Sequence, residues 1–172
     1  MNNGGIAERL VNVAKAIAGR MPGALAQTNI IANMLFGAIS GSGAAAAAAM
    51  GGTIGPMEEK EGYDPVYSAT VNIASAPTGM LIPPSNLMIV YSTIAGSVSV
   101  AALFTAGYLP GILWGIIVMV IAGITAKKKG YVIKETVSGK QALKAILDAI
   151  PSLLLIVIII GGIPVSYTHL TL

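Results

Sequence analysis

Charged positions along the chain are confined to short clusters, and the stretches between them are too long and too apolar for surface helices. No charged residue occurs between positions 21 and 57, or between 65 and 126. Each stretch exceeds the roughly 20 residues that cross a bilayer as a helix. Both are interrupted from within. Ser40, Gly41, Ser42 and Gly43 break the first, and Ser75 through Gly79 with Pro83, Pro84, Ser85 and Asn86 break the second. Irregular backbone at membrane depth is tolerated only where it is buried in protein or lines a cavity. Carriers use such breaks to bind ions and substrates near the midplane.

The elements follow from this pattern. Ile6, Leu10, Val13 and Ile17 recur at spacings of four, three and four, which predicts an amphipathic helix with Glu8, Arg9, Asn12, Lys15 and Arg20 on its other faces and Asn3 as its cap. It is too short and too charged to span, so 1–21 is expected to lie along the membrane interface; the alternative is the tail of a longer helix. Residues 22–57 predict two arms, 22–38 and 44–57, around a Gly/Ser tip. At about 1.5 Å per residue the first arm reaches roughly 25 Å, too short for two comfortable crossings, which predicts a re-entrant hairpin. Gly51 and Gly55, four apart, favour close helix contact. Residues 58–64 hold Glu58, Glu59, Lys60, Glu61 and Asp64 and read as a solvent-exposed loop. Asp64 followed by Pro65 is a helix start. Region 65–106 is then a discontinuous transmembrane helix, with halves over 65–75 and from about 85 to 94, followed by a short helix to 106 capped by Ser97 or Ser99. Region 107–129 predicts a plain span over 108–126, with Gly107, Gly111 and Gly115 making one small face and Lys127, Lys128 and Lys129 closing it. Ser138 to Gln141 reads as a capping box opening a further helix through 163. Placing the three lysines on the cytoplasmic side puts the 58–64 loop and Arg20 there too.

Composition narrows the class. The chain is 55% hydrophobic and 10% charged, against about 25% charged in a soluble domain, so it reads as an integral membrane protein in contact with the lipid bilayer. The net charge of +3 sits at the ends of apolar runs, where it meets headgroups, and gives no nucleic-acid footprint. The absence of cysteine excludes disulfides and thiolate metal sites. The start lacks the basic and apolar regions of a secretory signal. His169 is the single histidine, and no nucleophile–base pair or metal-ligand spacing occurs, which argues against an enzyme and against an organic cofactor. Ser40 to Gly43 is not a phosphate loop, because no lysine follows.

The chemistry therefore rests on broken backbone. A helix end leaves about four backbone groups unpaired; carbonyl ends suit a cation such as Na⁺, and N–H ends suit a carboxylate. Ser40, Ser42, Ser75 and Thr78 add hydroxyl oxygens, and Asn33, Asn72 and Asn86 add neutral polar groups. Helix packing is the competing reading for any one of these residues; two clustered breaks argue for a site.

At these residues the sequence resembles the large membrane (permease) subunit of tripartite ATP-independent periplasmic (TRAP) transporters. The stretches that carry the resemblance are GGIAERL (4–10), MLFGAISGS (34–42), KEGYDP (60–65), IPPS (82–85) and ALFTAGYLPG (102–111). It implies an all-α integral membrane fold: one inverted repeat of an elevator-type ion transporter, with a re-entrant hairpin and a discontinuous transmembrane helix. It implies a multi-pass protein of the bacterial inner membrane that takes up small organic anions, carboxylates such as C4-dicarboxylates or sialic acid, by Na⁺ symport. The implied partners are a small TRAP membrane subunit and a periplasmic substrate-binding protein. Carried over by motif, Ser40, Gly41 and Ser42 match the hairpin tip and Ser75, Ala76, Thr78 and Gly79 the unwound segment facing it, together a Na⁺ site. Asn33, Pro83, Ser85 and Asn86 are placed near the substrate. The chain departs from the family in having only alanine at 44–49. The family's subunit is more than twice as long, which implies a truncated fragment ending as the second repeat begins. Residues 164–172 do not fit the pattern and resemble translated adapter sequence. The competing functions are a related anion/Na⁺ carrier without a binding protein and a non-transporting membrane scaffold or inactive fragment.

Overall fold

The computed structural model describes residues 6–131, 143–151, 154 and 158. Asn3, the stretch around Ser138 and the 164–172 tail lie outside the described residues. All regular structure among the described residues is helical: α1 Ile6–Ala18, α2 Ala24–Ser40, α3 Gly43–Lys60, α4 Pro65–Ser75, α5 Thr78–Leu81, α6 Asn86–Ala95 and α7 Val100–Lys128, with residues 143–151 also helical.

The caps explain the boundaries. Gly41 ends α2 at φ 62°, a left-handed turn that costs glycine least. Ser42 opens α3 by accepting a hydrogen bond from the Ala45 N–H at 3.3 Å. Asp64 opens α4 through the Val66 N–H at 2.9 Å with Pro65 following, and Ser85 opens α6. The α2–α3 hairpin and the broken α4–α5–α6 segment thus end where local chemistry stops each helix. Pro65–Leu81 and Asn86–Ala95 are bent by 46° at the break.

α2 is the central element. One apolar cluster joins it to α1 and α3 through Leu10, Val11, Ala14, Phe36, Met50 and Ile54. A second joins its start to α4 and α7 through Leu25, Ile30, Tyr67, Val71 and Ala122. In α1, Leu10 and Val13 are buried, but Ile17 is 58% exposed. The buried face runs instead through Ala7, Leu10, Val11, Ala14 and Ala18, because small residues let α1 approach the hairpin closely.

The separate short helix ending at 106 is absent. Ser99 caps one continuous helix, α7, that contains Gly107 and Pro110. Its small face is filled from outside rather than kinked. A Cβ at Gly107 would meet the Leu81 carbonyl oxygen at 2.5 Å, one at Gly111 the Ile82 Cγ1 at 2.7 Å, and one at Gly115 the Met34 Sδ at 2.6 Å. Elsewhere α7 exposes Leu109, Leu113, Ile116, Ile117, Val120 and Ile124, and α6 buries no residue. α7 is the one described helix long and apolar enough to cross a membrane, and the bent α4–α6 segment supplies a second if it is a single span.

The charged ends converge. Lys129 pairs with Asp64, Tyr131 Oη accepts from the Asp64 N–H at 2.9 Å, and Tyr63 and Tyr131 stack with centroids 4.2 Å apart. The Lys129 hydrogen bond, with that of the Val66 N–H, holds the Asp64 carboxyl below the usual carboxylate range. A Cβ on Gly23 would touch the Ala126 Cβ at 2.5 Å. The start of α2, the end of α3 with the turn to Asp64, and the lysine end of α7 therefore share one end of the molecule, and the hairpin tip lies away from it.

Gly37 packs on Gly79 so closely that a Cβ on Gly37 would fall 2.1 Å from the Gly79 Cα, whereas Gly52 has nothing within 4 Å. Gly37→Val is expected to destabilise the purified protein by at least about 1–3 kcal/mol, the usual cost of overpacking. Gly52→Ala is expected to be neutral or to stabilise by up to about 1 kcal/mol. Thermal melts of the two variants check the pair.

Candidate functional site

The helix break in the second apolar run folds back against the hairpin tip. Asn86 Nδ2 donates to the Ser40 carbonyl oxygen at 3.2 Å. A Cβ on Gly41 would meet the Asn86 nitrogen at 2.9 Å and the Pro84 carbonyl oxygen at 3.0 Å, and one on Gly43 the Ala76 carbonyl oxygen at 2.9 Å. Glycine at 37, 41, 43 and 79 is what permits backbone to lie on backbone here. The peptide between Pro83 and Pro84 is cis. At about 1.5 Å per residue, the 17-residue α2 places the tip roughly 25 Å from the charged end.

Each expected site residue can be placed. Ser40 Oγ accepts from the Ser42 N–H and donates to the Ser42 carbonyl, both at 3.3 Å, so it braces the tip. Ser75 and Thr78 are fully buried. Ser75 Oγ donates to the Asn72 carbonyl at 3.1 Å, and Thr78 Oγ1 to the Ser75 carbonyl at 2.6 Å. Ala76 and Gly79 present backbone to Gly43 and Gly37. Ser85 is buried as the cap of α6, Pro83 is fully buried, and Asn86 is exposed beside the tip. Ser40, Gly41, Ser42, Ala76, Gly79, Pro84 and Asn86 thus converge on one junction. Asn33 is set apart from Pro83, Ser85 and Asn86: it is fully buried behind the break, where its Nδ2 donates to Ser75 Oγ at 2.8 Å and to Asn72 Oδ1 at 3.0 Å.

The donor set suits a small hard cation. The acceptors that the two breaks offer are hydroxyl and carbonyl oxygens, with no thiolate or imidazole. No group of three or more His, Cys, Asp or Glu exists among the described residues, so any ion here is held by neutral ligands. One buried acceptor beside Ser75, Asn33 Oδ1, has no hydrogen-bond partner among the described residues.

The sequence pattern missed three features. Trp114 Nε1 donates to the Ala74 carbonyl at 2.8 Å, tying α7 to the last turn before the break. Tyr67 Oη donates to the Ala122 carbonyl at 2.8 Å. Glu58, expected in a solvent-exposed loop, is 1% exposed, because α3 continues to Lys60 and packs that turn against α2 and α4. No periodicity marks this, since the helix runs through a charge cluster.

Comparison with known proteins gives a consistent result. The family described as "Tripartite ATP-independent periplasmic transporter, DctM component" matches residues 1–171, a range that includes most of the C-terminal stretch set aside above. An uncharacterised protein, YgiK of Salmonella typhimurium, is 58% identical over 163 residues, covering 95% of this chain and 38% of its own length. The C4-dicarboxylate TRAP transporter large permease protein DctM of Vibrio cholerae is 40% identical over 95% of this chain and 36% of its own length. The sialic acid TRAP transporter large permease protein SiaM of the same organism is 39% identical, over 95% and 38%. The chain therefore spans less than two fifths of these relatives. The named permeases are transporters rather than enzymes.

Asn33 ties α2 to the α4 break through buried hydrogen bonds. Asn33→Ala leaves Ser75 and Asn72 short of a partner and is expected to cost about 1–3 kcal/mol. Asn86→Ala removes an exposed bond and is expected to cost under about 1 kcal/mol. Denaturation of the two variants checks the ranking.

Proposed function

Because the chain belongs to the family of the DctM component of tripartite ATP-independent periplasmic transporters, we propose that it forms one cation-binding half of a large permease that carries small organic anions into the cell with Na⁺. The observation that carries this reading is the junction of the hairpin tip with the α4–α6 break, where Gly41 and Gly43 lie within Cβ reach of Asn86, Pro84 and Ala76. Ser40, Gly41 and Ser42 from the tip, with Ser75, Ala76, Thr78 and Gly79 from the break, would hold the ion, mostly through backbone oxygens. Asn33 Oδ1 is the side-chain oxygen left over for the same purpose. Pro83, Ser85 and Asn86 would border the anion.

The coupling follows from charge. No acidic residue occurs in either apolar run, so a cation at the tip leaves a net positive charge in a region of low dielectric. An organic anion nearby offsets that charge, and the attraction is far stronger there than in water. Each ligand therefore raises the other's affinity by the same factor, and an empty or doubly loaded site is favoured over a half-loaded one. Hairpin and break would then move together, as a unit locked by the Gly37–Gly79 contact, and expose the site to either side in turn.

The relatives' names supply the substrate class, C4-dicarboxylate and sialic acid, and carboxylate is the group they share with the electrostatics above. The family setting supplies the partners: a small membrane subunit and a periplasmic binding protein that delivers the anion. The location is the bacterial inner membrane, with α7 and the broken α4–α6 segment as spans.

Gly41→Val in the complete subunit, reconstituted with its partners, is expected to abolish Na⁺-dependent anion uptake while expression is retained. Gly62→Val is the control: it places the same side chain at a comparable φ of 79°, with nothing within 4 Å, and is expected to keep uptake. Normal uptake by Gly41→Val would refute the role of the tip.

A further inference from the structure

A cavity of about 320 Å³ lies between the charged end of the hairpin and α4, lined by Asn29 of α2, Glu58 of α3 and Ser68 and Asn72 of α4 among others. Glu58 lies beyond the last residue of the uncharged run, outside the spans. It is 1% exposed, and neither of its carboxyl oxygens closes a hydrogen bond among the described residues. Two further orphans face it. Asn29 Nδ2 and Ser68 Oγ have no partner among the described residues, yet both approach the carboxyl closely enough to favour its ionised form.

The direction of the Asn29 amide is fixed by a relay. Asn72 Nδ2 donates to the Ala47 carbonyl at 2.9 Å, so Asn72 Oδ1 is the acceptor for Asn33 Nδ2 at 3.0 Å. Asn33 Nδ2 also lies 3.0 Å from Asn29 Oδ1 and shares its two hydrogens among these acceptors. That leaves the Asn29 N–H groups for Glu58. The Ser68 hydroxyl is free to turn, and a hydroxyl either donates or accepts. An ionised Glu58 would accept from both partners. A protonated one would accept from Asn29 and donate to Ser68. Two partners therefore serve both forms, and neither has to move far when a proton comes or goes.

Among the described residues, the surroundings supply no cationic partner. No Lys, Arg or His lines the cavity; Glu59 and Tyr63 do. The charge on Glu61 disfavours a second negative charge at Glu58, and Tyr67 lies within the reach of the Glu58 charge. A buried carboxylate without a cation is costly. A metal cation would need oxygen on every side, whereas Asn29 presents N–H.

We propose that Glu58 is a proton-binding site, in which the carboxylate takes H⁺ from cavity water onto one oxygen and Asn29 and Ser68 hold either form. The relay through Asn29 and Asn33 reaches Ser75 at the break, so the protonation state at the charged end is connected to the junction by hydrogen bonds alone. This inference is separate from the proposed Na⁺ coupling, and its test reads no transport.

Burial pushes the Glu58 carboxyl up to about 7, against the opposing pull of Ser68 and Asn29. The folded protein then holds this proton more tightly than the unfolded chain. The contribution to stability falls as pH rises from the ordinary value of 4.5 to about 7, and is level above that.

The experiment is pH-dependent infrared difference spectroscopy on the complete subunit, wild type against Glu58→Gln. The expected result is a protonated-carboxyl band, absent from the variant, that converts to carboxylate with a midpoint of about 7. A midpoint in the ordinary carboxylate range overturns the proposal. Ser68→Ala keeps Glu58 in place and covers the case in which Glu58→Gln does not fold. Loss of the Ser68 hydroxyl is expected to move the midpoint upward, and an unmoved midpoint overturns the geometry. Exchange of choline for Na⁺ at fixed pH is expected to leave the band unchanged; its loss on adding Na⁺ would make this a metal site and overturn the proton assignment.

Discussion

Gly37 and Gly79 set the distance between the hairpin and the broken helix. Any side chain at either position would collide with backbone of the other, so two chain segments that would otherwise be held apart by a layer of side chains meet directly. Everything at the junction depends on this approach. It brings the tip against residues 84–86 and Gly43 against the Ala76 carbonyl. It also lets α5, only four residues long, sit between α2 and the small face of α7. Close packing of this kind is stiff and transmits displacement, which suits the proposed movement of hairpin and break as one unit.

Charge is partitioned along the same axis. The start of α2, the end of α3 with the turn to Asp64, and the lysines that close α7 gather at one end and are tied by Asp64, Lys129 and stacked tyrosines. The junction at the other end is neutral, built from carbonyls, hydroxyls and amides. Glu58 breaks the partition: it is an acidic side chain turned inward at the charged end, with Asn29, Asn33 and Ser75 connecting it to the neutral end. A polar seam therefore runs through the interior between α2 and α4, where an apolar core would otherwise be expected.

Much of this was legible in the sequence, because helix ends carry local signals. Asp64 with Pro65, Ser85 and Ser99 mark starts, and Gly41 marks a stop, each through a cap or a left-handed turn that few residues supply. The glycines at 107, 111 and 115 likewise announced a face to be filled. What could not be read depends on tertiary contact. Ile17 matched the apolar spacing of α1 but faces outward, since the neighbouring alanines allow closer packing. A short helix to 106 and a separate span over 108–126 were expected, whereas α7 runs unbroken with Leu81 and Met88 packed against Gly107. Burial of Glu58 follows from how α3 lies on α4, which its own sequence does not encode. Asn33 was legible as a polar residue in an apolar helix, but its partners, Asn72 and Ser75, lie about forty residues away.

The central claim is that tip and break bind one cation as a single site. Hydrogen–deuterium exchange of the complete subunit, in Na⁺ against choline at equal ionic strength, tests it most directly. A shared site predicts that Na⁺ slows exchange together in residues 40–43 and 75–86, with no change at the exposed Gly62 turn. Exchange that is unaffected by Na⁺ in both segments, or slowed in only one of them, would contradict it.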